Sequence, residues 1–467
     1  MNLLSKIYKK DKLEDIFTPN TIAKLTYINR SIVEKDLEKY LSLPGKQIIV
    51  YGHSGSGKTT LIRKSLNNKR QNFIKTHCES KTTFDDLLLQ AFDDLNKFYI
   101  HEKNSNSQYS ISAELKAEYA GLSSKVNETK NTSHEKKETR IVPIQLTPQK
   151  LAQFLGEINC VWLIEDFHKV AEIEKRRIAD VVKIFIDTAN DYKEVRIICI
   201  GAVATARELI ELDNNLNNRV AELQVPLLSE DEISQIINKG FSLLNVNIDD
   251  STKEKVVFYS NNLAAIAHQI CFDLCFDSEI RSWSFFKRNI KTTSFKEAVN
   301  SYVRKNSDTF TKIYDTIIRE PSGWNILKTF ENSAKEMLSF NEIKNKIPKN
   351  KRIADEEMLT FLSQLQLPEY KEILRYDRSS QKYSLASPFF KAFLKMKFAL
   401  EKTEHSNAIK TSDNRRNNKY SIDSSHTQDF NIDEDYFTSF NEILERLILE
   451  SGAKSGRIRI KHTRRLK

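Results

Sequence analysis

The sequence predicts an α/β fold: a parallel sheet flanked by helices, then a helical segment and a smaller helix-and-hairpin domain. Three observations predict it. The apolar runs Gln47–Tyr51, Cys160–Ile164 and Val195–Gly201 end at a glycine or at carboxylates, as strands buried on both faces of a parallel sheet do. Three of the eleven glycines stand between Gly52 and Gly57, directly after the first run. Beyond Glu230, apolar residues recur at helical spacing as far as about Leu400.

The whole composition sets outer bounds. With 39% hydrophobic and 29% charged residues over 467 positions, wholesale disorder and a collagen-like repeat are excluded. At roughly 100–200 residues per domain, the length allows two to four domains. Residues 1–10 contain no apolar run of a secretory signal, and no stretch approaches the ~20 apolar residues that span a bilayer. The expectation is a cytoplasmic protein with no membrane partner. The five cysteines include Cys271 and Cys275, four apart on a helical pattern with His268 nearby. A structural zinc site takes four ligands and no fourth is evident, so these read as small buried hydrophobes.

The first strand opens the nucleotide site. Val50-Tyr51-Gly52-His53-Ser54-Gly55-Ser56-Gly57-Lys58-Thr59-Thr60 contains a full G-x-x-x-x-G-K-[ST] match between a strand and a helix. Glycines let the backbone N–H groups turn toward phosphates, and the helix N-terminus adds partial positive charge. Gly52, His53, Ser54, Gly55, Ser56, Gly57, Lys58, Thr59 and Thr60 are therefore the expected cradle for ATP. Lys58 is expected on the β- and γ-phosphates and Thr59 on Mg²⁺. The second strand ends in Glu165-Asp166; one carboxylate is expected on the Mg²⁺ shell and the other on the attacking water. Register favours Glu165 on the metal side and Asp166 polarising the water, with the exchanged roles also open. His168 reads equally as a structural residue or a nucleotide contact.

After the third strand, Thr205 and Arg207 are the polar candidates for sensing the γ-phosphate. Arg219 precedes the next strand, Glu222–Leu227, where it could touch a neighbouring subunit's nucleotide as an arginine finger or form an ordinary surface pair. This order of P-loop, Glu165-Asp166 strand, sensor strand, Arg219 and helices resembles the AAA+ class, including the STAND-type signalling ATPases. The resemblance spans roughly Phe17 to Leu400. It implies that Phe17 to Arg30 covers the adenine, with Arg30 among the nucleotide contacts. It also implies ATP hydrolysis and a homo-oligomer or a complex with an effector protein, as in bacterial ATPases of defence and mobile-element loci. The chain departs from the class at Asn262–Gln269, which lacks the arginine many lids supply; His268 or nothing substitutes.

The expected divisions are an N-terminal segment 1–30, an ATPase core 31–228, a helical lid 229–320, a winged-helix-like domain 321–402 and a terminal region 403–467. A polar insertion at about 101–146 interrupts the core and suits either contact with a partner or a solvated flap. In 321–402 the pieces are Trp324–Phe330, Phe340–Ile347 and Glu356–Leu365, then a hairpin of Ile373–Tyr376 with Lys382–Leu385 and a helix from Pro388. A winged helix can bind DNA, with Lys349, Lys351, Arg352, Arg375, Arg378 and Lys382 as backbone contacts. Asp355-Glu356-Glu357, however, open the third helix where base readers carry Arg, Lys, Asn or Gln. Residues 401–433 read as a flexible linker and Tyr436–Leu449 as a short helix. Residues 453–467 carry +7 of the formal +10 charge, leaving +3 for the rest. That tail suits nucleic acid, an acidic protein surface, or no partner at all. The alternative function is a DNA-binding AAA+ ATPase of replication initiation or transposition.

Overall fold

A computed structural model describes residues 11–102, 146–202, 216, 218–291 and 293–417. The chain divides into two compact units, residues 1–403 and 404–467. Most of the polar insertion, Thr205, Arg207, Tyr436–Leu449 and the basic tail lie outside the described residues. No helix among the described residues is long and apolar enough to cross a membrane.

The first unit starts with a short helix α1 (Leu13–Ile16) and helix α2 (Ser31–Leu41). Strand β1 (Gln47–Tyr51) leads through the glycine loop into α3 (Lys58–Asn68), then β2 (Asn72–His77) and α4 (Phe84–Glu102). Helix α5 (Pro148–Glu157) precedes β3 (Cys160–Glu165), and α6 (Glu172–Thr188) precedes β4 (Arg196–Gly201) and β5 (Val220–Gln224). The five strands form one parallel sheet in the order β2-β3-β4-β1-β5. This is the P-loop NTPase sheet, with β4 inserted between the glycine-loop strand and the acidic strand. Alternate residues of each strand supply opposite faces: Ile49, Trp162 and Ile197 enter one apolar cluster, and Ile48, Val50, Leu163 and Ile198 the other.

Past β5 the chain is helical: α7 (Glu230–Leu244), α8 (Asp250–Ser260), α9 (Ala264–Asp277), α10 (Ser294–Lys305) and α11 (Lys312–Arg319). The two-residue strands β6 (Val246–Asn247) and β7 (Arg288–Asn289) pair alongside them. Side-chain caps fix the starts. Ser229 and Glu232 form a capping box on α7, and Asp249 accepts the Thr252 N–H on α8.

The last part runs α12 (Gly323–Glu331), β8 (Met337–Ser339), α13 (Phe340–Lys346), α14 (Asp355–Gln364), β9 (Leu374–Asp377), β10 (Lys382–Leu385) and α15 (Pro388–Asn417). Strand β10 lies between β8 and β9 in an antiparallel sheet. Strand β8 has only three residues, too few for a period-2 signal. Helix α15 continues past the expected start of the linker at 401, because no Gly or Pro between 389 and 417 stops it.

One packing feature separates this half from the sheet. A single apolar core runs from Leu13 and Phe17 through Phe241, Ile270 and Tyr314 to Leu362 and Phe393. It joins the N-terminal segment, the lid helices and the C-terminal helices and hairpin without a break at the expected 320/321 division. The second body therefore packs as one piece.

Candidate nucleotide site

The glycine loop is built by backbone geometry that side chains rarely adopt. Gly55 and Gly57 hold φ of +80° and +85°, and Gly57 forms the left-handed N-cap of α3. Gly52 crowds the Val225 carbonyl so closely that no Cβ would fit. Ser56 is buried, while Lys58, Thr59 and Thr60 are half-buried at the helix start. Lys58 Nζ donates to the carbonyls of Gly52 and His53, each at 2.8 Å. Burial lowers the Lys58 pKa, and the charge of Asp166 opposes that shift. The loop and the acidic strand end therefore act on each other electrostatically.

Register explains the meeting. Ile164 is level with Cys199, and Cys199 with Ile49, so Glu165 stands at the height of Val50, just before the loop. The two carboxylates differ sharply. Glu165 is 12% exposed; its Oε2 lies 2.9 Å from Lys75 Nζ and 3.6 Å from His77 Nδ1 on the neighbouring strand. Its Oε1 is buried with no hydrogen-bond partner. Asp166 leaves the strand at φ +58°, is 49% exposed, and pairs with Lys169 at 2.7 Å. His168 is exposed on the short turn that follows.

The buried Glu165 Oε1, left without a hydrogen-bond partner, is a ligand oxygen that suits a magnesium shell. No group of three or more His, Cys, Asp or Glu able to hold a metal occurs among the described residues. The same holds at Cys271 and Cys275, both buried; burial pushes the Cys275 thiol up to about 12.

Other expected residues sit away from the cradle. Arg219 is exposed at the start of β5, where its carbonyl accepts the Gln47 N–H. That is the opposite end of β1 from the loop, about 16 Å along five strand residues, so Arg219 cannot serve its own chain's nucleotide. Arg30 is 8% exposed, and its guanidinium bonds to main-chain carbonyls rather than facing open space. His268 is 2% exposed; its Nδ1 accepts the Thr18 N–H at 2.9 Å, and burial pushes its pKa down to about 4. A neutral ring cannot replace a lid arginine on phosphate, so the departure at Asn262–Gln269 stands unfilled by His268.

The other side of the loop is covered. His53 Nε2 forms a short contact with Glu336 Oε1, just before β8. A Cβ on Gly55 would stand 2.7 Å from Leu263 Cδ2 and 2.8 Å from Phe389 Cζ. Glu336, Leu263 and Phe389 carry no local sequence signal, since their relation to the loop exists only in the folded chain. Lys75 is likewise placed by strand pairing alone.

Residues 44–210 match the family model described as AAA domain. No curated protein matches the chain. The chain is similar to a Walker-type ATPase of Pyrococcus abyssi at 12% identity and a TM-score of 0.49, over 79% of this chain and 96% of that one. It is similar to the ORC2 protein of Aeropyrum pernix at 11% identity and a TM-score of 0.43, over 84% and 98% of the two chains. For the RuvB Holliday junction branch migration motor of Thermotoga maritima the values are 13% and 0.39, over 77% and 92%. Residues 44–210 thus combine a glycine loop and an acidic strand end on a parallel sheet with similarity to the AAA domain.

Proposed function

We propose that this chain is an ATP-hydrolysing AAA+/STAND-like switch or assembly ATPase that works with an effector partner in a bacterial defence or conflict system. The observation that carries the switch reading is the cover on the loop. Lys58 at its helix end interacts electrostatically with Asp166, and His53 and Gly55 of the loop face Glu336, Leu263 and Phe389 from the lid and C-terminal body.

The loop N–H groups and Lys58 hold the triphosphate, and Thr59 with Glu165 holds Mg²⁺. Mg²⁺ supplies charge neutralisation on the phosphates. Asp166 orients the attacking water. Water oxygen bonds to the γ-phosphorus, the bond to the bridging oxygen breaks, and ADP leaves with its terminal phosphate intact. Thr205 and Arg207 sense the γ-phosphate, and Arg219 reaches a neighbouring subunit's nucleotide, for which its exposure and distance from its own loop argue. The defence setting rests on the resemblance of the motif order to ATPases of such loci. Lys58→Ala and Asp166→Asn test the chemistry: turnover of ATP at the wild-type rate in either variant overturns the catalytic assignment. Co-expression with a nuclease or other effector encoded beside it tests the setting, with ATP-dependent co-purification expected.

A second reading, a DNA-binding ATPase of replication initiation or transposition, is favoured by one observation. Arg375 and Arg378 are exposed on the β9–β10 hairpin of the winged-helix-like part. Against it, Asp355, Glu356 and Glu357 are equally exposed at the start of α14. The chain without residues 453–467, compared with the full chain over a salt series, tests this reading. Weak duplex binding unchanged by the truncation removes it.

A further inference from the structure

Arg30 stands where the two bodies meet. Its Nη1 donates to the carbonyl of Ser56 in the glycine loop at 3.1 Å. Its Nη2 donates to the carbonyls of Pro226 at 2.8 Å and Leu227 at 3.2 Å. These two residues join the sheet body to the lid: Val225 belongs to a sheet cluster, and Leu228 to the core of the second body. The guanidinium thus touches both the phosphate loop and the connection about which the second body would turn. Only a planar fork with several donors spans these carbonyls at once; a lysine ammonium on a flexible stem does not.

The arrangement is one bond short. Arg30 Nε is buried and has no hydrogen-bond partner, while Glu232 Oε1 lies 3.5 Å away on the first turn of α7. The other Glu232 oxygen already accepts the Ser229 N–H at 2.8 Å in the capping box. Glu232 Oε1 thus faces the unsatisfied Nε, and a small shift of α7 toward Arg30 would bring the pair to hydrogen-bonding distance. The Ser56 carbonyl also shares its peptide unit with the Gly57 N–H. A cationic donor on that oxygen polarises the unit and strengthens the N–H as a donor to phosphate. Phosphate binding and the Arg30 bond therefore reinforce each other through one peptide group.

We propose that Arg30 is a positioning residue that couples phosphate binding in the glycine loop to movement of the lid about Pro226–Leu227, with Glu232 as the partner gained on closing. This rests on the reading of the loop as an ATP site. In this proposal Arg30 acts through Ser56, Pro226 and Leu227.

The test compares the full-length wild type with Arg30→Lys, Glu232→Gln and Lys58→Ala. Each is assayed for ATP turnover and for hydrogen exchange over 226–244 with and without ATP. In the wild type, ATP is expected to slow exchange over 226–244. Arg30→Lys is expected to raise KM about tenfold, the loss of one charge-assisted bond, to keep kcat within a few-fold, and to lose the ATP-dependent exchange difference. Glu232→Gln keeps an acceptor for the Ser229 cap, so it is expected to fold normally and still lose most of that difference. A purely structural role would lower the melting temperature and leave the ATP-dependent difference intact. Variants that melt normally and retain both the wild-type KM and the exchange difference overturn the coupling, while the ATP site stands on Lys58→Ala. A wild type indistinguishable from Lys58→Ala overturns the ATP reading itself.

Discussion

The sheet body and the body that covers it are held together in different ways. The sheet is apolar on both faces, with Ile49 and Trp162 on one side and Val50 and Leu163 on the other. Its functional groups project from strand ends whose heights are fixed by register. The second body has one long core running from Phe17 to Phe393. Across the loop it meets the sheet body at the His53–Glu336 pair, at Gly55 and through the Arg30 bonds. The sheet is held by apolar packing and strand register, whereas the contact across the loop includes an ion pair and a charged hydrogen bond.

The largest effect expected from breaking this contrast lies on the rigid side. Lys58→Ala should lower ATP turnover by on the order of 10²-fold or more, measured as phosphate release, because a cation aimed at developing charge is removed. Next comes a paired experiment on the loop. Gly55→Ala must adopt φ +80° and also push into Leu263 and Phe389, so a loss of about 2–3 kcal/mol is expected in denaturant unfolding. Gly57→Ala holds a similar φ, +85°, with nothing within 4 Å of its Cβ, and should lose only about 1 kcal/mol. Equal losses in the two would show that Leu263 and Phe389 do not press on the loop.

A third experiment uses acid. His268 is held neutral by burial, with its pKa lowered to about 4. The unfolded chain takes up this proton near pH 6.5 and the folded chain does not. Stability from this group is therefore intact above about 6.5 and falls as the pH drops toward 4. His268→Gln keeps an acceptor for the Thr18 N–H and should show a shallower decline of melting temperature over that window. The smallest effect concerns Glu336, whose carboxyl is held below the usual range chiefly by its hydrogen bond to His53, with Lys391 nearby. Its contribution is present above the ordinary carboxylate pKa and is lost as pH falls through the lowered one. Glu336→Gln should loosen the cover at neutral pH and increase protease nicking between 331 and 339 by a few-fold. Unchanged nicking would mean that the ionic contact does not hold the cover.

How much of this was legible depends on whether a signal is local. The glycine loop was, because Gly52, Gly55, Gly57, Lys58 and Thr59 lie within eight positions of one another. So were the acidic strand end and the helices after Glu230. Local order did not distinguish Glu165 from Asp166; the difference comes from Lys75 across a strand pairing and from the turn that places Asp166 at φ +58°. The carbonyl partners of Arg30 lie 26 and 196 residues away, a distance no motif spans. The single core uniting lid and C-terminal part was also hidden. Periodicity tells which face of a helix is buried, not which helix covers it.

The tryptophans give the two bodies separate optical signatures. Trp162 is fully buried on β3, with its indole N–H donating to Thr76 Oγ1 at 3.0 Å. Trp283 and Trp324 belong to the second body, and Trp324 is 41% exposed against Phe398. Emission from Trp162 should be blue-shifted and poorly quenched by iodide, and emission from Trp324 red-shifted and accessible. The Trp283→Phe variant would carry one reporter for each body, Trp162 and Trp324. Nucleotide-driven motion of the cover would then change the red component and leave the blue one still, so the chain's own fluorescence can distinguish a moving lid from a distorted sheet.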